Sequence, residues 1–165
     1  MRFLIVDDSD DPLKYLSEFL TDMGHQVVAS ARNGQEAVEL FHSQRPDAVV
    51  MDIIMPRLNG LDALKRMQEA DPSVPVVITS CLRSCETALE AEHLGAAYCL
   101  SKPFDPIRLG KVVKKIAGQR NGRGEKGPHP AKAAITPSPA IEPGDQPKRR
   151  LQGGRGKTQR PRGAA

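Results

Sequence analysis

Along the first 118 residues, five short runs of β-branched and aliphatic residues alternate strictly with five amphipathic stretches, and this alternation restricts the fold more than any other feature. The runs are Phe3-Leu4-Ile5-Val6, Val27-Val28-Ala29-Ser30, Ala48-Val49-Val50-Met51, Val76-Val77-Ile78-Thr79 and Ala97-Tyr98-Cys99-Leu100. Their length and composition predict strands. Between them, apolar residues fall three and four apart: Leu13, Leu16, Phe19, Leu20 and Met23; Ala37, Val38, Leu40 and Phe41; Leu61, Leu64 and Met67; Ala88, Leu89 and Leu94; Leu109, Val112, Val113 and Ile116. That spacing puts each set on one face of a helix. Pro12 suits the first turn of a helix entered through Asp10 or Asp11, and Gly24 suits its C-terminal cap. Strand-helix alternation of this kind predicts an α/β fold, a doubly wound parallel sheet of five strands with right-handed crossovers. Three of the runs are apolar almost throughout, as strands covered on both faces must be.

In such a sheet a ligand site lies beyond the carboxyl ends of the strands, where the strand order reverses. The residues there are Asp7 and Asp8 after the first strand, Asp52 after the third, Ser80 after the fourth and Lys102 after the fifth. Clustered carboxylates repel unless a cation neutralises them, and an all-oxygen donor set favours Mg²⁺ or Mn²⁺ over zinc. Phosphoryl transfer onto a carboxylate needs a nucleophile held in line, a divalent metal and further donors for the phosphoryl oxygens. Asp52, alone at the central strand end, suits the nucleophile. Asp8, with Asp7 behind it, would hold the metal, and Lys102 and Ser80 would each meet a phosphoryl oxygen.

The motifs Ile5-Val6-Asp7-Asp8-Ser9, Met51-Asp52-Ile53-Ile54-Met55-Pro56, Leu58-Asn59-Gly60, Thr79-Ser80 and Leu100-Ser101-Lys102-Pro103-Phe104 resemble those of the response-regulator receiver domains of two-component systems. The resemblance covers residues 1 to about 118 and extends to spacing as well as residue type. It implies the flavodoxin-like strand order 2-1-3-4-5, Asp52 as the phosphoacceptor, and Mg²⁺ held by Asp8, Asp52 and the backbone carbonyl of Ile54. It also implies a cis peptide between Lys102 and Pro103, a geometry that proline makes affordable. Family spacing chooses Ser80 over Thr79 as the switch hydroxyl, because Ser80 lies five residues after Pro75 and 22 before Lys102. Tyr98 is expected to be the aromatic that turns inward with it.

As the resemblance has it, the phosphoryl group comes from a histidine kinase or a phosphotransfer protein, and the output is a changed surface offered to an effector protein. The segments expected to change are residues 87–94 and 106–116. Ile54, two residues after the acceptor, and Leu82, two after the hydroxyl, are apolar and cannot align an attacking water, which predicts slow self-dephosphorylation. An aspartyl-phosphate phosphatase on a similar sheet would carry a second aspartate two residues after its nucleophile, where Ile54 stands. The chain is therefore expected to catalyse its own phosphorylation and dephosphorylation and to turn over no external substrate. With no output domain following, it reads as a stand-alone receiver.

Composition sets the boundary of the folded part. Residues 119–165 hold 7 Pro and no aromatic, and cannot bury enough apolar surface to offset the entropy of ordering. They carry 11 Lys+Arg against 3 Asp+Glu, a net +8, whereas residues 1–118 carry 13 against 17, a net −4. The expected organisation is a receiver over 1–118 and a disordered basic Pro/Gly-rich tail over 119–165. Lys148-Arg149-Arg150 and the later Arg155, Lys157, Arg160 and Arg162 suit nucleic-acid phosphates, so a receiver that gates a nucleic-acid-binding tail is the alternative reading. With no aromatic interleaved for base stacking, a solvated linker is favoured over it.

The N-terminal apolar run is too short for a signal peptide or a membrane span, which points to the cytoplasm and away from a membrane. Cys81, Cys85 and Cys99 lack paired zinc-site spacing and read as reduced, mostly buried thiols, with Cys99 in the core; a redox sensor formed by Cys81 and Cys85 near the site is the disfavoured alternative. His25, His42 and His93 read as surface residues without metal or phosphohistidine chemistry.

Overall fold

The computed structural model describes residues 1–81, 85–103 and 105–121. Five strands, β1 (Arg2–Val6), β2 (Gln26–Ala31), β3 (Ala48–Asp52), β4 (Val76–Ser80) and β5 (Tyr98–Ser101), alternate with α1 (Asp10–Asp22), α2 (Gly34–Gln44), α3 (Gly60–Ala70), α4 (Cys85–His93) and α5 (Pro106–Asn121). All strand pairs are parallel, and the order is β2-β1-β3-β4-β5. The doubly wound parallel sheet is as the alternation predicts, and its flavodoxin-like order is the one the family resemblance implies. α5 runs to Asn121, three residues past the boundary read from composition, and the tail beyond it lies outside the described residues.

Alternation within the strands divides the core in two. Leu4, Val6, Val49, Met51, Val76 and Ile78 face α2, α3 and α4, where they meet Phe41, Leu64, Met67 and Ala91. Phe3, Ile5, Val50 and Val77 face α1 and α5, against Leu16, Leu20, Leu109, Val113 and Ile116. β3 and β4 are buried at every position, and β1 at all but Arg2, which is the two-sided burial that their unbroken apolar runs require.

Helix ends follow their sequence signals. Ser9 rather than Asp10 or Asp11 is the N-cap of α1, and Gly24, at φ 79°, closes it while its N–H donates to the Thr21 carbonyl at 2.9 Å. Asn33 caps α2 by accepting from the Glu36 N–H, and Asn59 caps α3 by accepting from that of Asp62. His25 departs from its surface reading. It is half-buried with its ring 5.3 Å from that of Phe3, and burial, helped by the N-terminal ammonium, lowers its pKa.

Candidate functional site

The order of strands reverses between β1 and β3, and the acidic residues gather there. Asp7 directly follows β1, its N–H donating to the Ala31 carbonyl at 3.1 Å. Asp52 is the last residue of β3, in register with Thr79. Asp7 is 1% exposed and Asp52 5%, while Asp8 is open to solvent. One carboxylate oxygen from each of the three lies within 4.8 Å of the others.

Lys102 reaches this cluster from the far side of the sheet. Its N–H is bound to the Ser80 carbonyl at 2.7 Å, and the peptide to Pro103 is cis. From that anchor its Nζ donates to Asp7 Oδ2 at 2.6 Å and to Asp52 Oδ2 at 2.7 Å. Burial alone would lower the Lys102 pKa, but hydrogen bonds and charge from Asp52 and Asp7 outweigh it and hold the ammonium above its ordinary value. The remaining oxygens of the two buried carboxylates are also engaged. Asp52 Oδ1 accepts from the Ile53 N–H at 2.7 Å, and Asp7 Oδ1 from the Ser9 N–H at 3.1 Å. Three carboxylates against one ammonium leave a surplus of negative charge at an all-oxygen cluster, and that donor chemistry fits a hard divalent cation. Ile54, whose carbonyl is the fourth candidate ligand, stands on the loop after β3 with its side chain 53% exposed. A groove of about 590 Å³ opens beside Asp8, lined by Arg32, Glu36, Pro56 and Arg57 among others.

Ser80 is the last residue of β4, in register with Ser101, and both it and Thr79 are buried. The expected partnership with Tyr98 is corrected by the sheet. Tyr98 is in register with Val77 and packs with it on the α1/α5 face, where Lys115 Nζ lies 5.4 Å from the centre of its ring. Ser80, three residues on from Val77, has the opposite parity, that of Val76 and Ile78. The β5 residue on that face is Cys99, in register with Ile78. Tyr98 and Cys99 are successive residues of one strand and therefore take opposite faces.

Burial, with the nearby Glu92 charge adding to it, pushes the Cys99 thiol up to about 11, whereas Cys81 is exposed. Since the thiolate is the nucleophile, iodoacetamide at pH 8 should alkylate Cys81 in the native protein and label Cys99 at least about tenfold more slowly. Peptide mapping over time checks this, and equal rates would contradict the burial of Cys99. The side chains of Cys85, Leu82 and Phe104 lie outside the described residues. Sequence reasoning missed Asn33 and Gly34, which adjoin the loop carrying Ile54, and Arg57 within it. The Asn33-Gly34 pair signals a helix entry, and nothing local signals its approach to Leu58.

The family described as the response regulator receiver domain matches residues 3–114. The chain is 37% identical over 116 residues to the chemotaxis protein CheY of Thermotoga maritima, covering 70% of this chain and 97% of that protein. It is 39% identical over 114 residues to the regulatory protein AtoC of Escherichia coli, covering 69% of this chain but 24% of AtoC. Among solved structures, the CheX-CheY-BeF3-Mg complex of Borrelia burgdorferi superposes with a TM-score of 0.68 at 29% identity, covering 71% of this chain and 89% of that one. No helix among the described residues is long and apolar enough to cross a membrane. With the acidic cluster, the bridging lysine and the strand order all in place, the chain belongs to the response regulator receiver domains of two-component signalling systems.

Proposed function

We propose that the chain accepts a phosphoryl group on Asp52 from the phosphohistidine of a histidine kinase or phosphotransfer protein, and signals by a change in its own surface to an effector protein. The observation that carries this reading is the Lys102 ammonium bonded at once to Asp7 and Asp52, beside an exposed Asp8. It holds two buried carboxylates in place without closing the site to solvent.

Asp7, Asp8, Asp52 and the Ile54 carbonyl would hold Mg²⁺ or Mn²⁺, which when bound neutralises charge on the phosphoryl oxygens. That CheY of Borrelia was solved with BeF3 and Mg supports the assignment. Asp52 supplies the carboxylate oxygen that forms the new P–O bond as the P–N bond to the donor imidazole breaks. The Ile53 N–H fixes the orientation of that carboxylate, and Lys102 is placed to transfer one of its hydrogen bonds to a phosphoryl oxygen. Ser80, at the carboxyl edge of β4, donates to another phosphoryl oxygen. The phosphoryl group then favours one of two conformations of the domain, read out on residues 87–94 and 106–116.

Incubation with a small acyl phosphate, with and without Mg²⁺, tests this by intact mass. One phosphoryl adduct that requires the metal is expected, and its absence under every metal condition would refute the reading. Because Ile54 offers no polar group to align a water, the adduct should outlast the seconds scale without added phosphatase. Ile54→Asn should shorten its lifetime several-fold. A wild-type lifetime of seconds, followed by loss of the mass shift, would overturn that expectation.

A further inference from the structure

We propose that Gly34, at the start of α2, is a positioning residue that fixes the loop carrying the Ile54 carbonyl, and so sets the affinity of the site for its divalent cation. The inference rests on the reading of Ile54 as a ligand. Residues 53–59 join β3 to α3, and their near end is pinned twice. Ile53 donates its N–H to the Thr79 carbonyl at 3.1 Å and accepts from the Gly60 N–H at 2.8 Å. The far end is held by α3 through that Gly60 bond and by α2, where the Gly34 N–H donates to the Leu58 carbonyl at 3.0 Å. Between these anchors the described residues offer no hydrogen-bond donor to the Ile54 carbonyl. Its place is thus dictated by the two ends of the loop.

The loop contains a strained turn. Arg57 sits at φ 67°, and the Leu58 N–H closes back on the Pro56 carbonyl at 2.9 Å, a three-residue turn with its central residue in the left-handed region. Turns of this kind are rare and strained, and persist only where the surroundings over-determine them. Gly34 is the surrounding contact. Its φ is outside the left-handed region, so the backbone does not ask for glycine there, but a Cβ would stand 2.4 Å from the Leu58 oxygen and 3.1 Å from the Ala63 Cβ. Glycine is required by the closeness of the loop. The anchor is itself rigid, because Asn33 accepts from the Glu36 N–H at 3.0 Å and Glu36 in turn accepts from the Arg32 N–H at 2.9 Å. A methyl group at Gly34 pushes Leu58 away, and the displacement passes along a four-residue span to Ile54.

Linkage makes the proposal testable in the unaltered chain, since a contact that favours metal binding must be favoured by it to the same degree. Saturating MgCl2 should raise the protection of the Gly34 amide against hydrogen exchange by about fivefold or more, relative to the Ala37 amide, which is bonded within the same first turn. In Gly34→Ala, the Mg²⁺ dissociation constant measured by calorimetry well below the melting temperature should rise by at least the same factor. Gly118→Ala, whose Cβ meets nothing within 4 Å, should match the wild type. A merely structural role for Gly34 lowers the melting temperature and leaves the Mg²⁺ affinity of the folded protein alone. Equal changes at Gly34 and Ala37, or wild-type affinity in Gly34→Ala, overturns the proposal while leaving the metal site intact. A wild-type protein that binds no Mg²⁺ overturns both. If Gly34→Ala does not fold, the exchange experiment decides.

Discussion

Asp52→Asn should show no mass increase when incubated with a small acyl phosphate and Mg²⁺, under conditions in which the wild type gains one phosphoryl group. The rate of adduct formation is expected to fall by at least about 10³-fold, because the variant loses the attacking oxyanion while the rest of the site stays in place. The loss is chemical and also geometric. In the wild type each oxygen of Asp52 accepts from a different donor, Oδ1 from the Ile53 N–H and Oδ2 from Lys102 Nζ. An asparagine amide has one accepting end, so it satisfies one of these donors and turns its own N–H bonds toward the other. Lys102 keeps Asp7 as a partner at 2.6 Å, which should preserve the fold and let circular dichroism separate lost chemistry from lost structure. Peptide mapping of any residual adduct completes the test. A phosphoryl group found at wild-type yield in folded Asp52→Asn would remove Asp52 from the mechanism.

The residues of this site at and just beyond the strand ends were open to reading from sequence, and the contacts that set the path of the β3–α3 loop were not. Asp7 and Asp52 follow from unbroken apolar runs, because a buried parallel strand must deliver its next polar residue to the edge of the sheet, whereas Ser80 stands behind the polar Thr79 and was separated from it by the spacing of the family resemblance. The strand order and the reversal between β1 and β3 then bring Asp7 to Asp52 without any further information. Lys102 was legible as a residue, but its simultaneous contact with both buried aspartates depends on how β5 lies against β4. Tyr98 shows the limit of pattern reading. Its run is apolar on both sides, so periodicity does not fix which face each residue takes, and only the sheet shows that Tyr98 packs on the α1/α5 face and Cys99 on the other. Gly34 and Arg57 were invisible for another reason. Their role comes from the close approach of two segments separated by more than 20 residues, and no local spacing encodes it.

Replacing Lys102 by methionine should lower the stability of the metal-free protein by about 3–5 kcal/mol, the usual cost of removing one partner from a buried charge network. The side chains of Asp7 and Asp52 are only 2% and 8% exposed and that of Lys102 15%, so solvent screens these pairs little. Methionine keeps the length of the stem, which confines the change to the charge and its two hydrogen bonds. For a domain of this size the loss corresponds to a fall in melting temperature of roughly 10–20 °C in EDTA. Mg²⁺ should then restore much of it. The wild-type ammonium occupies Oδ2 of both aspartates, and its removal frees those oxygens for the cation, so the variant should bind the metal more tightly and its melting temperature should climb more steeply with MgCl2. The pH dependence has a definite sign. The folded pKa of Lys102 lies above the ordinary 10.5, so its stabilisation is fully present below 10.5 and is lost as pH rises through the folded value. The gap between wild type and variant should therefore be the same at pH 7 and pH 9 and should narrow only in stronger alkali. Equal stability of the two proteins in EDTA would mean that the aspartates do not depend on the lysine, and the folded site would then owe its order to the backbone donors of Ile53 and Ser9 alone.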